Sequence, residues 1–206
     1  MKKYGRTYHL PISPGVMSDD KILKDLSGLS SADEVVFTEK MDGENTTIHA
    51  KGCHARSPNS GYHASRDWVK AFAAGISPQL SSGERIVGEY LFAQHSVAYT
   101  DLPSYFMGFA WIVDGNIQSW DDTLNRFQTL AIQPVPILHR GPFTDDAIQG
   151  VISSLDLNRQ EGFVARNTAS FPEAEMGLQM GKYVRADHVQ SETHWMYAEI
   201  VKNGLA

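Results

Sequence analysis

Val35-Val36-Phe37-Thr38-Glu39-Lys40-Met41-Asp42-Gly43 is the stretch on which the reading of this chain turns. Its first three residues are β-branched or aromatic and read as a short buried strand. Lys40 follows the strand, and Asp42-Gly43 marks a turn. A lysine in that place is held near the edge of a sheet. Lysine becomes a nucleophile when burial or a neighbouring cation lowers its pKa. A surface lysine in a turn would carry the same Lys-x-Asp-Gly pattern, so Lys40 gains meaning only from what else the chain contains.

Working outward, residues 46–50 and 53–56 read as a hairpin turning at Lys51-Gly52. Ser65 is placed to cap a helix whose Trp68, Val69 and Phe72 share a face. Residues 86–92 and 105–113 read as strands, the second closed by Asp114-Gly115-Asn116 before a short strand from Ile117. Helices are expected over 120–132, capped near Ser119 or Asp121, over 145–155, and over 192–202. Strands are expected over 135–138, 161–166 and 180–184. Many strands interleaved with a few helices, without a regular βαβ rhythm, predict an α+β fold with mainly antiparallel sheets. No linker stands out, so residues 1–206 are expected to form one domain. An irregular N-terminal arm around Pro11-Ile12-Ser13-Pro14-Gly15 precedes it, and no separate second domain is expected.

Composition narrows the classes. The 206 residues are 42% hydrophobic and 20% charged, ordinary for a soluble globular protein. The single cysteine, Cys53, leaves no disulfide framework and no Cys-rich zinc site within one chain. No apolar run is long enough to span a membrane and no signal core follows Met1, so the expected location is cytoplasmic. A net charge of −6 excludes broad coating of nucleic acid and restricts any polyanion contact to a local groove.

Further segments follow Lys40 in a particular order. Arg56 ends the hairpin. Glu89 stands in Gly88-Glu89-Tyr90. Phe106 and Phe109 lie in Tyr105-Phe106-Met107-Gly108-Phe109. Glu161 opens Glu161-Gly162-Phe163-Val164, and Lys182 lies in Gly181-Lys182-Tyr183-Val184-Arg185. With this ordered set the sequence resembles the covalent nucleotidyltransferases, the superfamily of ATP-dependent ligases and mRNA capping enzymes. It looks most like the RNA ligase 2 type, over residues 34–185.

The resemblance implies a nucleotide-binding cleft between antiparallel sheets, with ATP as substrate and Mg²⁺ or Mn²⁺ as cofactor. It implies that Lys40 attacks the α-phosphate and becomes a lysyl-AMP. Glu39 and Asn45 would contact the nucleotide, Arg56 the ribose or the reacting RNA end, and Glu89 the ribose hydroxyls. Phe109 would stack on adenine, Glu161 would help bind the metal, and Lys182 would contact the α-phosphate. Phe106 reads as core. The physics suits these roles. Phosphoryl transfer needs positioning and charge neutralisation, a carboxylate suits a hard cation, and a cation such as Lys182 is expected to lower the pKa of Lys40.

The chain departs from the type where a second basic residue is usual two places after Lys182. Arg185 can supply it only through a bulge or a strand end. His54, His63 and Arg66, like the N-terminal arm, are candidate substrate contacts that read more simply as ordinary loop residues. The expected activity is RNA end joining, with 5′-phosphate and 3′-hydroxyl RNA ends as partners and a partner protein supplying further RNA binding. A DNA ligase, a capping-type nucleotidyltransferase and a non-catalytic nucleotide-binding subunit of an RNA repair complex are the alternatives.

Overall fold

A computed structural model describes residues 2–57, 63–186 and 200–206. In chain order its strands are β1 (Tyr8–His9), β2 (Val35–Glu39), β3 (Glu44–His49), β4 (Gly52–Ala55), β5 (Glu84–Tyr90) and β6 (Phe106–Val113). They continue with β7 (Asn116–Ile117), β8 (Gln133–Pro134), β9 (Ile137–Gly141), β10 (Gly162–Asn167), β11 (Phe171–Pro172) and β12 (Met180–Val184). The α-helices are α1 (Ser27–Ser30), α2 (Asp67–Ile76), α3 (Trp120–Thr129), α4 (Asp145–Ser154) and α5 (Met176–Gln179).

The strands form two sheets. One runs β1-β12-β10-β2-β9, and the other β11-β7-β6-β5-β3-β4 with β8 added beside β6. All pairings between named strands are antiparallel except β1 with β12 and β6 with β8. The fold is therefore α+β with mainly antiparallel sheets.

The packing explains why the Val35-Val36-Phe37 run is apolar without alternation. A strand covered on both faces has no polar side. Val35 and Phe37 pack with Ile148 and Val151 of α4 and Leu29 of α1. Val36, on the other face, packs with Met107 of β6 and Trp120. Sheet two is covered outside by α2 and α3: Val69, Ala73, Ile76 and Phe127 lie on Ile48, Ile86, Tyr90 and Phe106. Trp68 and Phe72 flank that contact, and Phe106 is core as read. The inner faces of the two sheets meet through Val87, Ala110 and Ile112 on one side and Met180 and Val164 on the other. The order of layers is helix, sheet, sheet, helix.

Local chemistry sets the element ends. Ser119 Oγ accepts the Asp122 N–H at 3.1 Å and starts α3, with Asp121 and Asp122 in the positive first turn. Thr144 does the same for α4. Asp114 and Gly115 both have positive φ, the turn that matches the twist of the β6–β7 hairpin. Ser65 does not cap α2. A 3-10 turn, Ala64–Arg66, leads into that helix, and His63 Nδ1 accepts the Ser65 N–H.

Other segments differ from expectation too: the strand expected over 135–138 gives way to β8 and β9, which leave residues 135 and 136 between them. Pro11 to Gly15 are irregular as expected, but just before them β1, not expected from the sequence, extends the first sheet beside β12. The helix expected over 192–202 lies largely outside the described residues. Its described end belongs to an extended segment, 200–206, that bridges Ala93 to Lys202 and Leu102 to Leu205. Asn203 is its anchor. The side chain donates to the Leu91 carbonyl at 2.8 Å and accepts from Tyr99 N–H at 2.9 Å, at 3% exposure. Asn203→Ala strands buried backbone groups on residues 91–99 and is expected to lose about 2 kcal/mol, roughly 4–8 °C in Tm. Thermal unfolding checks this, and an unchanged Tm would contradict it.

Candidate functional site

Strand alternation decides which side chains reach the space between the sheets. On β2, Val36 and Thr38 face inward, so Lys40, at the strand's end, continues that face. On β12, Met180 faces inward, and Lys182 with it. On β5, Val87 faces inward and brings Glu89, whose neighbour across β3 is Asn45.

Glu161 is the exception that makes the site. Strict alternation would send it to the outer face with Phe163 and Ala165. Between them stands Gly162 at φ 155°, where a Cβ would lie 2.0 Å from the Tyr183 carbonyl oxygen. Only glycine accepts both that φ and that closeness. The alternation breaks there. Glu161, 2% exposed, accepts a hydrogen bond from Lys40 Nζ at 2.5 Å. Backbone bonds lock the pair: Lys40 N–H donates to the Gly162 carbonyl at 2.9 Å and Arg185 N–H to the Glu161 carbonyl at 3.0 Å.

The Asp42 carboxylate fastens the turn after Lys40. Its Oδ2 accepts the N–H groups of Ser96 and Val97, both at 2.8 Å, and its own N–H donates to the Tyr99 hydroxyl at 2.9 Å. The segment so fastened is the one that Asn203 anchors from the other side.

Charge balance corrects one expectation. Burial acts to lower the pKa of Lys40, but the carboxylates of Glu161, Glu89 and Asp42 outweigh it and hold the amine above the ordinary lysine range. Lys182 is the lowered lysine, first by burial and then by the Lys40 cation. Lys40 therefore rests as an ammonium. Burial, opposed by Lys40 and reinforced by Glu161 and Asp42, raises Glu89 to about 8. A buried group this rich in carboxylates is one that a cation would relieve. Among the described residues no three His, Cys, Asp or Glu side chains converge as a metal cage. Glu161, with Glu89 beside it, would offer one or two oxygens, which suits Mg²⁺ or Mn²⁺ sharing the phosphates of a nucleotide.

The structure brings Lys40, Glu89, Glu161 and Lys182 into one interacting set, with Asn45 beside Glu89. Asn45 Oδ1, Arg56 Nε and Arg185 Nε are buried without a hydrogen-bond partner, polar atoms left for a ligand or water. Arg56 lies one residue beyond β4, on the inward side by alternation. Arg185 lies just past the end of β12, at a strand end rather than in a bulge. Phe109 is the extra residue of a bulge: Val87 pairs with Ala110 and Gly88 with Gly108. The bulge re-aims its ring between the sheets, where Tyr4 lies at 5.6 Å between centroids and 56° tilt.

Glu39 goes elsewhere. Its side chain accepts from Gln160 Nε2 at 2.8 Å on the opposite face from Lys40. Arg66 is held by Glu44, His54 Nδ1 lies 2.7 Å from the Ala55 carbonyl, and His63 caps a turn. Sequence reasoning reached Tyr4 only as part of the candidate arm Tyr4 to Gly15, and missed Asp20 and His95. His95 is lowered first by burial, against the opposing carboxylates of Asp42 and Glu44. No linear pattern marks these three, because only tertiary pairing carries them to the site.

The sequence model of RNA ligases matches residues 33–184, which hold Lys40, Glu89, Glu161 and Lys182. The chain belongs to the RNA ligase family. Solved structures agree in fold. An archaeal ATP-dependent RNA ligase is 14% identical with a TM-score of 0.62, the match covering 90% of this chain and 48% of that one. A putative ATP-dependent DNA ligase from Aquifex aeolicus is 15% identical, TM-score 0.56, with 90% and 50% covered. A point mutant of Naegleria gruberi RNA ligase with ATP and Mn is 16% identical, TM-score 0.54, with 86% and 58% covered. This RNA ligase family member thus spans about half the length of the solved structures it matches. No curated protein matches its sequence.

Glu89→Gln tests the electrostatics. With a folded pKa of about 8 against an ordinary 4.5, protonated Glu89 contributes stability that is complete below the lower value and lost as pH rises through the upper. Glutamine cannot ionise. The fall in Tm between about pH 5 and about pH 9 should be smaller in the variant than in the native protein. An equal fall would contradict the burial of this carboxylate.

Proposed function

We propose that this chain acts as an ATP-dependent RNA ligase through a lysyl-AMP at Lys40. The observation that carries the reading is the Lys40–Glu161 pair, set between two sheets with Glu89 and Lys182 and lying inside the stretch that matches the RNA ligase family. Each group has work in that chemistry. The Lys40 amine attacks the ATP α-phosphorus, an N–P bond forms, the bond to the β-phosphate breaks and pyrophosphate leaves. An RNA 5′-phosphate oxygen then attacks the same phosphorus and the N–P bond breaks, which returns the lysine and leaves AMP on the RNA end. Finally a 3′-hydroxyl attacks the 5′-phosphate and AMP departs as the phosphodiester forms.

Lys40 must first lose a proton. Glu161 favours the ammonium, so engagement of Glu161 by another cation frees the amine, and burial with Lys182 nearby then favours the neutral form. In this reading Lys182 would neutralise the α-phosphate, and Asn45, Arg56, Glu89 and Phe109 would contact the nucleotide. Bound Mg²⁺ or Mn²⁺ would supply charge neutralisation on the phosphates. A binding subunit would gain nothing from a lysine set among carboxylates at the cleft.

Incubation with ATP, Mg²⁺ and RNA strands bearing a 5′-phosphate and a 3′-hydroxyl is expected to give joined RNA, with AMP-capped RNA as an intermediate. Lys40→Ala should give neither. Joining by that variant, or no reaction from folded native protein, would overturn the reading. Joining of DNA alone would make the chain a DNA ligase.

A further inference from the structure

Behind Lys182 lies a buried polar chain built by the N-terminal segment. In the parallel β1–β12 pairing, His9 is the register partner of Lys182. The His9 ring is 0% exposed, with Nε2 3.1 Å from Asp20 Oδ2 and Nδ1 2.8 Å from Ser13 Oγ. Ser13 Oγ in turn accepts the Val184 N–H at 2.9 Å, on the strand that carries Lys182. Burial, with the Lys182 cation, lowers His9 to about 4, so its ring is neutral. The ring makes its side-chain hydrogen bond with Ser13 Oγ through Nδ1, while Nε2 faces the Asp20 carboxylate without completing a second one.

Asp20 is the end of this chain that meets the site. Its side chain is 8% exposed, and Oδ1 lies 3.7 Å from Lys182 Nζ. Burial disfavours its charge, but the Met17 N–H at 3.1 Å, Lys182 and His9 outweigh that and hold the carboxyl below its usual range. Lys182 has a like charge, Lys40, on one side and Asp20 on the other. A long flexible amine in such a place needs a fixed counter-charge to stay charged and aimed.

We propose that Asp20, held by the Met17 N–H and seated against the buried His9 ring, is the positioning residue for Lys182, keeping its ammonium group charged and directed at the α-phosphate beside Lys40. The proposal rests on the reading of Lys182 as a phosphate contact. It gives the N-terminal segment a part in the chemistry, where otherwise it would only extend a sheet.

The test is a double-mutant cycle on the single-turnover rate of AMP transfer from ATP to the protein, across ATP concentrations, with Tm measured for every variant. Asp20→Asn is expected to slow the rate at saturating ATP about tenfold or more, with half-saturation shifted less than about threefold. Asp20→Glu should recover part of the rate. In a Lys182→Met background, Asp20→Asn should cause no further loss. An equal loss in both backgrounds would mean a merely structural role and overturn the proposal, as would an unslowed Asp20→Asn. If Lys182→Met is itself as fast as the native protein, or the native protein takes up no AMP, the underlying reading of the site falls and the proposal with it.

Discussion

Lys40 and Glu161 meet at 2.5 Å where the carboxylate is closed to water and the lysine is a quarter exposed toward the cleft, and the surrounding structure makes that meeting stable. Burying two charges is unfavourable unless their geometry is good and their other atoms are satisfied. Here the geometry comes from backbone. The Lys40 amide bonds Gly162, the Arg185 amide bonds Glu161, and Gly162 alone can lie against the Tyr183 carbonyl while turning Glu161 inward. Two strands from distant parts of the chain are thereby locked with their reactive ends together.

Further carboxylates tip the balance. Asp42 adds negative charge near the same lysine, Glu89 is held toward its neutral form by burial, and Lys182 lies on the other side with its own acid behind it. Such a site is poised for a ligand that brings cations and phosphates together. The Asp42 side chain connects it to residues 96 and 97, and through Asn203 to the end of the chain. The positions of the reactive groups thus depend on segments that carry no reactive group themselves.

Much of this was legible in the sequence, for a physical reason. Lys40, Glu89 and Lys182 sit on or beside strands, where a period of two fixes direction and short motifs keep their order; Glu161 and Phe109 keep the order but reach the cleft only through the break at Gly162 and the bulge in β6. The α+β class followed from the same runs. What escaped depended on contacts across the fold. Glu39 adjoins Lys40 in sequence but points to Gln160 on the other face. The raised pKa of Lys40 reflects how many carboxylates the two sheets bring within reach, which no spacing reveals. Asp20 and His9 matter because β1 pairs with β12, a pairing between the two ends of the chain that leaves no local mark.

The central claim is that Lys40, among all the nucleophiles of this chain, accepts AMP. It is tested most directly by incubating the protein with ATP labelled in the α-phosphate and a divalent metal, digesting it, and locating the label by peptide mass spectrometry. The account predicts label on the peptide containing Lys40, lost in acid as a phosphoramidate is. Label on Lys182 or any other residue, or none on folded protein free of prior AMP, would contradict it.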